Sequence, residues 1–479
     1  MSNLTYEFWA WLVFGTLCLI WSMFDSREAG LFSLRTIAIG AIWAGIFASP
    51  LLSLFDGEYE CRINENVSYL VHEQIPYVLR YGFLCMCMIS FGWGFVFRRH
   101  AVRVVTEKVS REESPDRYQR WYVPVLMLMI AAGIVLFIYS IGGLENLVES
   151  SRVRGEGQWD EKTMAVRVRD TVNAFQSTIF VGICLFGAIL FSKKNSSITA
   201  RALAVGAMLV GSLPGLHSLS RASGIAFAFL GLAGLLQRGR RFIAAASGCF
   251  LVCFLMSQIG LTARGNYVPG LGSYFQGATD YIGSGISNEK DTAGKKSPKD
   301  NDKRDLSNRK LAAMNPLDQM PPATQLFRAR EETRMPLAEA ALGLLTSLNP
   351  LPSQFIPRTP FGLETLHERM GTVGLIGLPS PVLPQTYNAL GYSGLILWLL
   401  LGGILAWVQT IHMRVHSAIT LWAVLFAVVG LVIGVQNPIR ALVRPLEISA
   451  VLCLLELFGS RGEVIHDSDP SCWKKVNDI

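Results

Sequence analysis

The chain has 479 residues, of which 51% are hydrophobic and only 16% are charged, and its formal net charge is +7. Soluble domains carry about 25% charged residues, and the apolar residues here form runs of about 20, the length of a helix that spans a bilayer. The composition therefore excludes a soluble globular protein. The positive charge does not indicate nucleic-acid binding, because the basic residues lie in short loops between the apolar runs.

The apolar runs predict an all-α integral membrane protein with about eleven transmembrane helices. The first run has no basic region before it and no small-residue cleavage site after it, so it is predicted to be retained and not removed as a signal peptide. Gly82, Gly92 and Gly94 in the third run are predicted to allow close packing between helices. The predicted spans are 6–24, 36–55, 77–97, 121–141, 172–191, 197–216, 219–236, 242–262, 389–411, 417–435 and 442–459.

Lys and Arg in the short loops predict the orientation of these spans. Basic clusters follow the third, fifth and seventh spans, at 98–120, 193–201 and 238–241. If the sixth and seventh spans are separate helices, all three basic clusters lie on the same side of the membrane. That side is then the cytoplasm. The N-terminus is therefore predicted outside and the C-terminus in the cytoplasm.

Two long segments are predicted to lie outside, at 142–170 and 263–388. They divide the chain into an eight-helix bundle (1–262), a large outer loop (263–388), and three helices with a cytoplasmic tail (389–479). Within the large loop, residues 287–310 contain almost no apolar side chains, so a disordered insert is predicted there.

Arginines near the predicted outer ends of spans are candidate ligands for an anionic group. A charge at membrane depth costs about 2.5–3.5 kcal/mol, so it usually faces a cavity or a partner. Arginine also binds phosphate through two parallel hydrogen bonds. Snorkelling to the membrane interface is the alternative for each of them. The candidates are Arg221, Arg264, Arg440 and Arg444.

Acids and a histidine of the large outer loop are candidates for general acid–base chemistry. They are Glu332, Glu339, Glu364 and His367, and each alone is more often a solvated charge. The chain has no His-Glu-x-x-His motif, no Cys-x-x-Cys pair and no P-loop, so neither a metal nor a cofactor is predicted.

Four short motifs accompany this layout. The run YSIGGL (139–144) leads into an outer loop with Arg152 and Arg154, and Ser220-Arg221 opens a span. LNPLPS begins at Leu348, and YNALGYSG begins at Tyr387. Together with the many spans and two long outer loops, these motifs resemble the O-antigen and exopolysaccharide polymerases of the Wzy type. Gln385 stands where many members of that family carry Glu.

The resemblance implies a metal-independent glycosyltransferase of the bacterial inner membrane. It would transfer a growing glycan from undecaprenyl diphosphate to the non-reducing end of a new lipid-linked repeat unit. A chain-length regulator, a flippase and membrane lipids would be its partners. The acids above and His367 would supply the base. The substrate would be held by Arg152, Arg154, Arg221, Arg264, Arg440, Arg444 and Tyr387.

Three other functions stay open at this point. An O-antigen ligase would use the same donor with a lipid A acceptor, and His367 would be its expected base. A transporter or flippase of a lipid-linked glycan needs charges along its pathway, and Glu447 is the main such residue within a span. The third is a non-enzymatic scaffold for envelope assembly.

Reporter fusions test the orientation. A fusion after Lys310 is expected to behave as exported and one after Arg103 as cytoplasmic, because positive loops are retained inside. Paired alkaline phosphatase and fluorescent-protein fusions measure this. Cytoplasmic behaviour after Lys310 would put every candidate acid on the wrong side of the membrane.

Overall fold

In the residues that it describes, the computed structural model contains fourteen α-helices of nine or more residues, short 3-10 helices, and one antiparallel hairpin (Arg62–Asn64 with Val67–Ser68). Those residues are 6–25, 33–51, 62–64, 67–68, 72–107, 119–148, 176, 179–191, 197–219, 221–238, 242–266, 270–286, 320–332, 336, 338–340, 342–343, 381–415, 417–436 and 439–466. The helices are α1 (Tyr6–Asp25), α2 (Leu34–Ile46), α3 (Ile75–Glu107), α4 (Gln119–Ile141), α5 (Ile179–Phe191), α6 (Ile198–His217), α7 (Ile225–Arg238), α8 (Ile243–Asn266), α9 (Leu271–Ile286), α10 (Met320–Glu332), α11 (Val382–Leu390), α12 (Leu395–Val415), α13 (Ala418–Gln436) and α14 (Ile439–His466).

Six of the described helical stretches are long and apolar enough to cross a membrane. They are Tyr6–Asp25, Ile75–Phe97, Val123–Ile141, Ile198–His217, Ile243–Gly260 and Val382–Val415. Four shorter apolar helices lie at Leu34–Ile46, Ile179–Phe191, Ile225–Leu236 and Ile419–Val432. Helices suit this role because they satisfy their own backbone hydrogen bonds in the absence of water. The prediction of an α-helical membrane protein is confirmed at this level.

The chain divides into two compact units, and unit 1 comprises residues 1–113 and 299–479. Its centre is the contact between α3 and α12. A methyl group on Gly92 would collide with the carbonyl oxygen of Leu399, and one on Gly402 would collide with that of Ile89. Two glycines thus let the backbones touch, as small residues do at helix contacts in membranes.

The helices α1, α3 and α12 run in the same direction. Tyr81 packs near Gly394, close to the start of α12, and Ile89 packs against Gly402 about two turns further along both helices. Trp11 of α1 likewise meets Phe83 of α3 near the beginnings of both helices. α2 runs antiparallel to these three helices, because it begins beside the end of α1. α14 runs antiparallel to α13. Ser449 of α14 donates a hydrogen bond of 2.7 Å to the carbonyl oxygen of Ala423 in α13.

Unit 2 comprises residues 114–298 and is built from antiparallel neighbours. Gly133 of α4 faces Ile183 of α5, and Gly211 of α6 faces Cys184 of the same helix α5. α7 and α8 form a second antiparallel pair, in which a Cβ at Gly224 would meet the backbone of Cys253. Small residues again lie where the helices approach most closely.

The sixth and seventh predicted spans are separate helices. α6 ends at His217, and the Ser218 hydroxyl donates to Pro214 O at 2.7 Å. Leu219 then takes a left-handed φ of 49°, and a 3-10 turn over Arg221–Gly224 leads into α7. The short polar break therefore reverses the chain, as the distribution of basic residues predicts.

Some predicted boundaries were wrong. α3 continues to Glu107, ten residues beyond its predicted end, and the ninth span begins with α11 and a 3-10 turn at Gly391–Gly394 before α12. Gly94 is not a close-packing site, because nothing lies within 4 Å of a Cβ built there. The predicted insert at 287–310 and most of the outer loop 142–170 lie outside the described residues.

We expect Gly92→Leu to destabilise the protein by about 1–3 kcal/mol, because a side chain must separate the backbones of α3 and α12. Thermal unfolding in detergent measures this. Gly248→Leu is the matched control, since nothing lies within 4 Å of a Cβ at that position. Equal unfolding temperatures for the two variants would show that the α3–α12 contact does not set stability.

Candidate functional site

Four aromatic side chains of unit 1 form one cluster, called here the aromatic cluster: Tyr81, Phe327, Tyr387 and Tyr392. The rings of Phe327 and Tyr387 stack with centroids 3.8 Å apart. Tyr81 meets Tyr387 edge-on at 4.9 Å, and Tyr392 meets it edge-on at 5.7 Å. The two edge-on contacts have the geometry that aromatic pairs prefer. Residues distant in the sequence thus surround Tyr387, a predicted substrate-binding residue.

α10, from the predicted outer loop, is held against α11 by polar contacts. The Asn388 side-chain amide donates to Leu326 O at 2.9 Å, and Arg330 Nη1 donates to Asn388 O at 2.5 Å. Leu326 and Phe327 are fully buried. This part of the loop therefore belongs to the folded core of unit 1.

Two arginines border the aromatic cluster. The Arg330 guanidinium lies 5.5 Å from the centroid of the Tyr387 ring. The Arg80 guanidinium lies 5.8 Å from Trp11 and 5.7 Å from Tyr392. A cation over an aromatic face contributes about 0.5–1 kcal/mol at exposed sites. Within the aromatic cluster, Arg330 thus lies against Tyr387 and Arg80 against Tyr392.

The two glycines of the YNALGYSG motif stand at positions where a larger side chain would collide with a neighbour. Gly391 has φ +62°, and a Cβ on it would lie 2.5 Å from Arg330 Nη2. A Cβ on Gly394 would lie 2.9 Å from the Tyr81 hydroxyl oxygen. Gly391 permits both the left-handed turn and the approach of the guanidinium.

Gln385 joins α11 to the beginning of α14. Its buried Oε1 accepts a hydrogen bond of 2.8 Å from the backbone N–H of Ile439. The first N–H groups of a helix have no partner within the helix, so this contact satisfies one of them. Arg440 follows Ile439 directly, and the half-buried Arg444 lies about one turn further along.

In unit 2, hydrogen bonds join the ends of three helices. His217 Nε2 lies 2.8 Å from Asn146 O, just after α4, and the Gly270 N–H donates to His217 O at 2.8 Å. Leu271 N and Gly272 N donate to Leu147 O and Val148 O, at 3.2 and 3.0 Å. The residues that follow α4, α6 and α8 therefore meet at one end of the unit.

Arg221 and Arg264 lie at this same end. Leu219, two residues before Arg221, packs in one buried cluster with Tyr274 and with Ala263, the neighbour of Arg264. The side chains of both arginines lie outside the described residues. Beside them the hydroxyls of Ser223 and Tyr274 both donate to Met256 O, at 2.8 and 2.9 Å. Burial raises the pKa of Tyr274, so its hydroxyl stays a donor.

The predicted site residues divide between the units. Unit 1 contains Tyr387, Arg440, Arg444 and the four candidate bases, and unit 2 contains Arg152, Arg154, Arg221 and Arg264. Glu332 is the last residue of α10, and Glu339 is exposed in a short helical piece. Of the remaining predicted residues, four lie outside the described residues: Arg152, Arg154, Glu364 and His367.

Sequence reasoning missed Arg80 and Arg330. Arg80 lies near the predicted outer end of the third span, so the criterion that selected Arg221 would also have found it. Arg330 stands in a run of charged residues and had no distinguishing signal. Among the described residues, no group of three or more His, Cys, Asp or Glu could hold a metal ion. No family model, curated protein or solved structure matches the chain.

Arg330→Met is expected to loosen α10 from α11, because the hydrogen bond of a charged group contributes about 1.5–3 kcal/mol. Limited proteolysis should then cut residues 299–380 sooner. Arg328→Met, at an exposed position of the same helix, is the control. The same cleavage rate for both variants would mean that Arg330 does not hold the loop.

Proposed function

We propose that the chain is a polymerase of lipid-linked oligosaccharide repeat units, a metal-independent glycosyltransferase of the bacterial inner membrane. In this proposal eleven spans place the N-terminus outside and the C-terminus in the cytoplasm. The growing glycan passes from undecaprenyl diphosphate to the non-reducing end of a new repeat unit. A flippase supplies those units and a chain-length regulator acts on the product.

The directions of helices within unit 1 support the proposed topology. α3 and α12 run the same way, so an odd number of crossings must separate them. The described residues between them contain five apolar helices, α4 to α8. If only four helices crossed the membrane between α3 and α12, these two helices would run in opposite directions. The separation of α6 from α7 is therefore consistent with eleven spans and with basic loops in the cytoplasm.

The observation that carries the proposal is the aromatic cluster with its two arginines. It lies where α3, α11, α12 and α14 begin, which are all predicted outer ends, and α10 of the outer loop completes it. Sugar rings pack their C–H faces against aromatic rings, and guanidinium groups bind diphosphates. Tyr392, with 44% of its surface exposed, offers an accessible ring beside Arg80.

The reaction needs a cation and a base. The bond between the anomeric carbon and the diphosphate oxygen breaks, and the leaving group keeps the electron pair. An arginine placed there stabilises charge that develops only in the transition state. The acceptor hydroxyl attacks the same carbon and loses its proton to a base. The candidate bases are Glu332, Glu339, Glu364 and His367.

Arg221→Ala is expected to abolish long glycan chains while single lipid-linked repeats accumulate. The loss should be at least about 2.7 kcal/mol, a hundredfold in rate, by analogy with removal of one oxyanion donor. Arg221→Lys should restore part of the activity, because an ammonium cannot make the paired contact. Gel profiles of the glycan and analysis of lipid-linked intermediates measure both.

Arg201→Ala is the control, because Arg201 lies at the opposite end of α6. Normal chain lengths in Arg221→Ala at normal protein level would contradict the role of Arg221. A ligase would give a different result: complete lipid-linked polymer would accumulate and none would reach lipid A.

A further inference from the structure

A large cleft of unit 1 takes no part in the aromatic cluster. Its volume is 1780 Å³, and it lies between α1, α3 and α12, with the start of α2 at one end. Ordinary small-molecule pockets measure about 300–1,000 Å³. Most of the lining is apolar and includes Phe14, Leu17, Phe83 and Ile404. The size and the lining suit the acyl chains of a lipid.

The length of the cleft matches one leaflet of a bilayer. Its wall on α1 extends from Phe14 to Asp25. At about 1.5 Å per residue this is about 16 Å, roughly half of the about 30 Å hydrocarbon core. The polar end therefore lies where a headgroup begins, and the apolar wall ends near the middle of the membrane.

The polar end contains an ion pair. Arg35 Nη1 donates to Asp25 Oδ2 at 2.7 Å, and Arg35 Nη2 donates to Ser22 O at 3.3 Å. The guanidinium also lies 5.5 Å from the Trp21 ring and 6.0 Å from the Trp93 ring. The Arg35 side chain is 5% exposed, whereas that of Asp25 is 49% exposed.

The buried cation can accept one more ligand. Each Nη of Arg35 carries two hydrogens, and each uses one of them, toward Asp25 Oδ2 and Ser22 O. The Arg35 side chain lines the cleft. A phosphate oxygen in the cleft can therefore accept a charge-assisted hydrogen bond from a remaining Nη hydrogen.

We propose that this cleft binds a zwitterionic phospholipid whose headgroup combines a phosphate with an ammonium. The phosphate interacts with Arg35 and the ammonium with Asp25, while the acyl chains lie along the apolar wall. An anionic headgroup has no cation to offer the half-exposed Asp25 carboxylate. A diacylglycerol offers neither charge. The site is independent of the glycan reaction proposed above.

Gly94 provides a way to fill the cleft without disturbing the fold. It lines the cleft, and nothing lies within 4 Å of a Cβ built on it. Leucine favours a helix more than glycine does, so Gly94→Leu should fold. Gly206 of α6 has the same open surroundings and does not line the cleft, so Gly206→Leu is the matched control.

Native mass spectrometry of the full chain in detergent tests the proposal. The delipidated protein is titrated separately with phosphatidylethanolamine, phosphatidylglycerol and diacylglycerol that carry the same acyl chains. We expect one phosphatidylethanolamine to bind with an apparent Kd about tenfold below that of phosphatidylglycerol. Gly94→Leu should lose this lipid, and Gly206→Leu should retain it.

A second variant tests the charges separately from the shape. Asp25→Asn removes the carboxylate and leaves the Arg35 cation, so it should bind phosphatidylglycerol at least as well as phosphatidylethanolamine. Equal affinity of the unaltered chain for these two lipids would overturn the proposal. So would unchanged phosphatidylethanolamine binding in Gly94→Leu, or an unchanged lipid preference in Asp25→Asn.

Discussion

Backbone N–H and C=O groups find no water in a bilayer, so a chain can leave the helical conformation there only where other groups satisfy them. In this protein each of the two units contains one such break beside a candidate site residue. The first lies between α6 and α7, and the second lies at Gly391–Gly394, between α11 and α12. Both breaks are short and follow apolar helices.

Side chains supply the missing partners at each break. At the first, the Ser218 hydroxyl donates to Pro214 O in the last turn of α6. At the second, Arg330 donates to Asn388 O in the last turn of α11. In each unit, polar side chains thus bind backbone carbonyl groups close to a candidate substrate-binding residue, Arg221 in unit 2 and Tyr387 in unit 1.

The two ends of unit 1 use arginine differently. At the aromatic cluster, Arg80 and Arg330 lie over tyrosine rings. At the cleft, Arg35 lies between two tryptophans and forms an ion pair with Asp25. The first arrangement places guanidinium groups against aromatic faces, as the proposed diphosphate site requires. The second presents a cation and a carboxylate together, as the proposed zwitterionic lipid requires.

The sequence by itself determined the membrane class and the approximate helix positions, and its loop charges favoured the separation of α6 from α7, which the structure then showed. Hydrophobic run length and loop charge act locally, so they can be read without a fold. Tyr387 and the outer-end arginines also came from local motifs. Only the tertiary structure decided that α10 packs against Tyr387, that Arg80 and Arg330 border it, and that Gly92 touches α12 whereas Gly94 faces a cleft. These contacts join residues as much as 300 positions apart, and no local pattern encodes which helix faces meet.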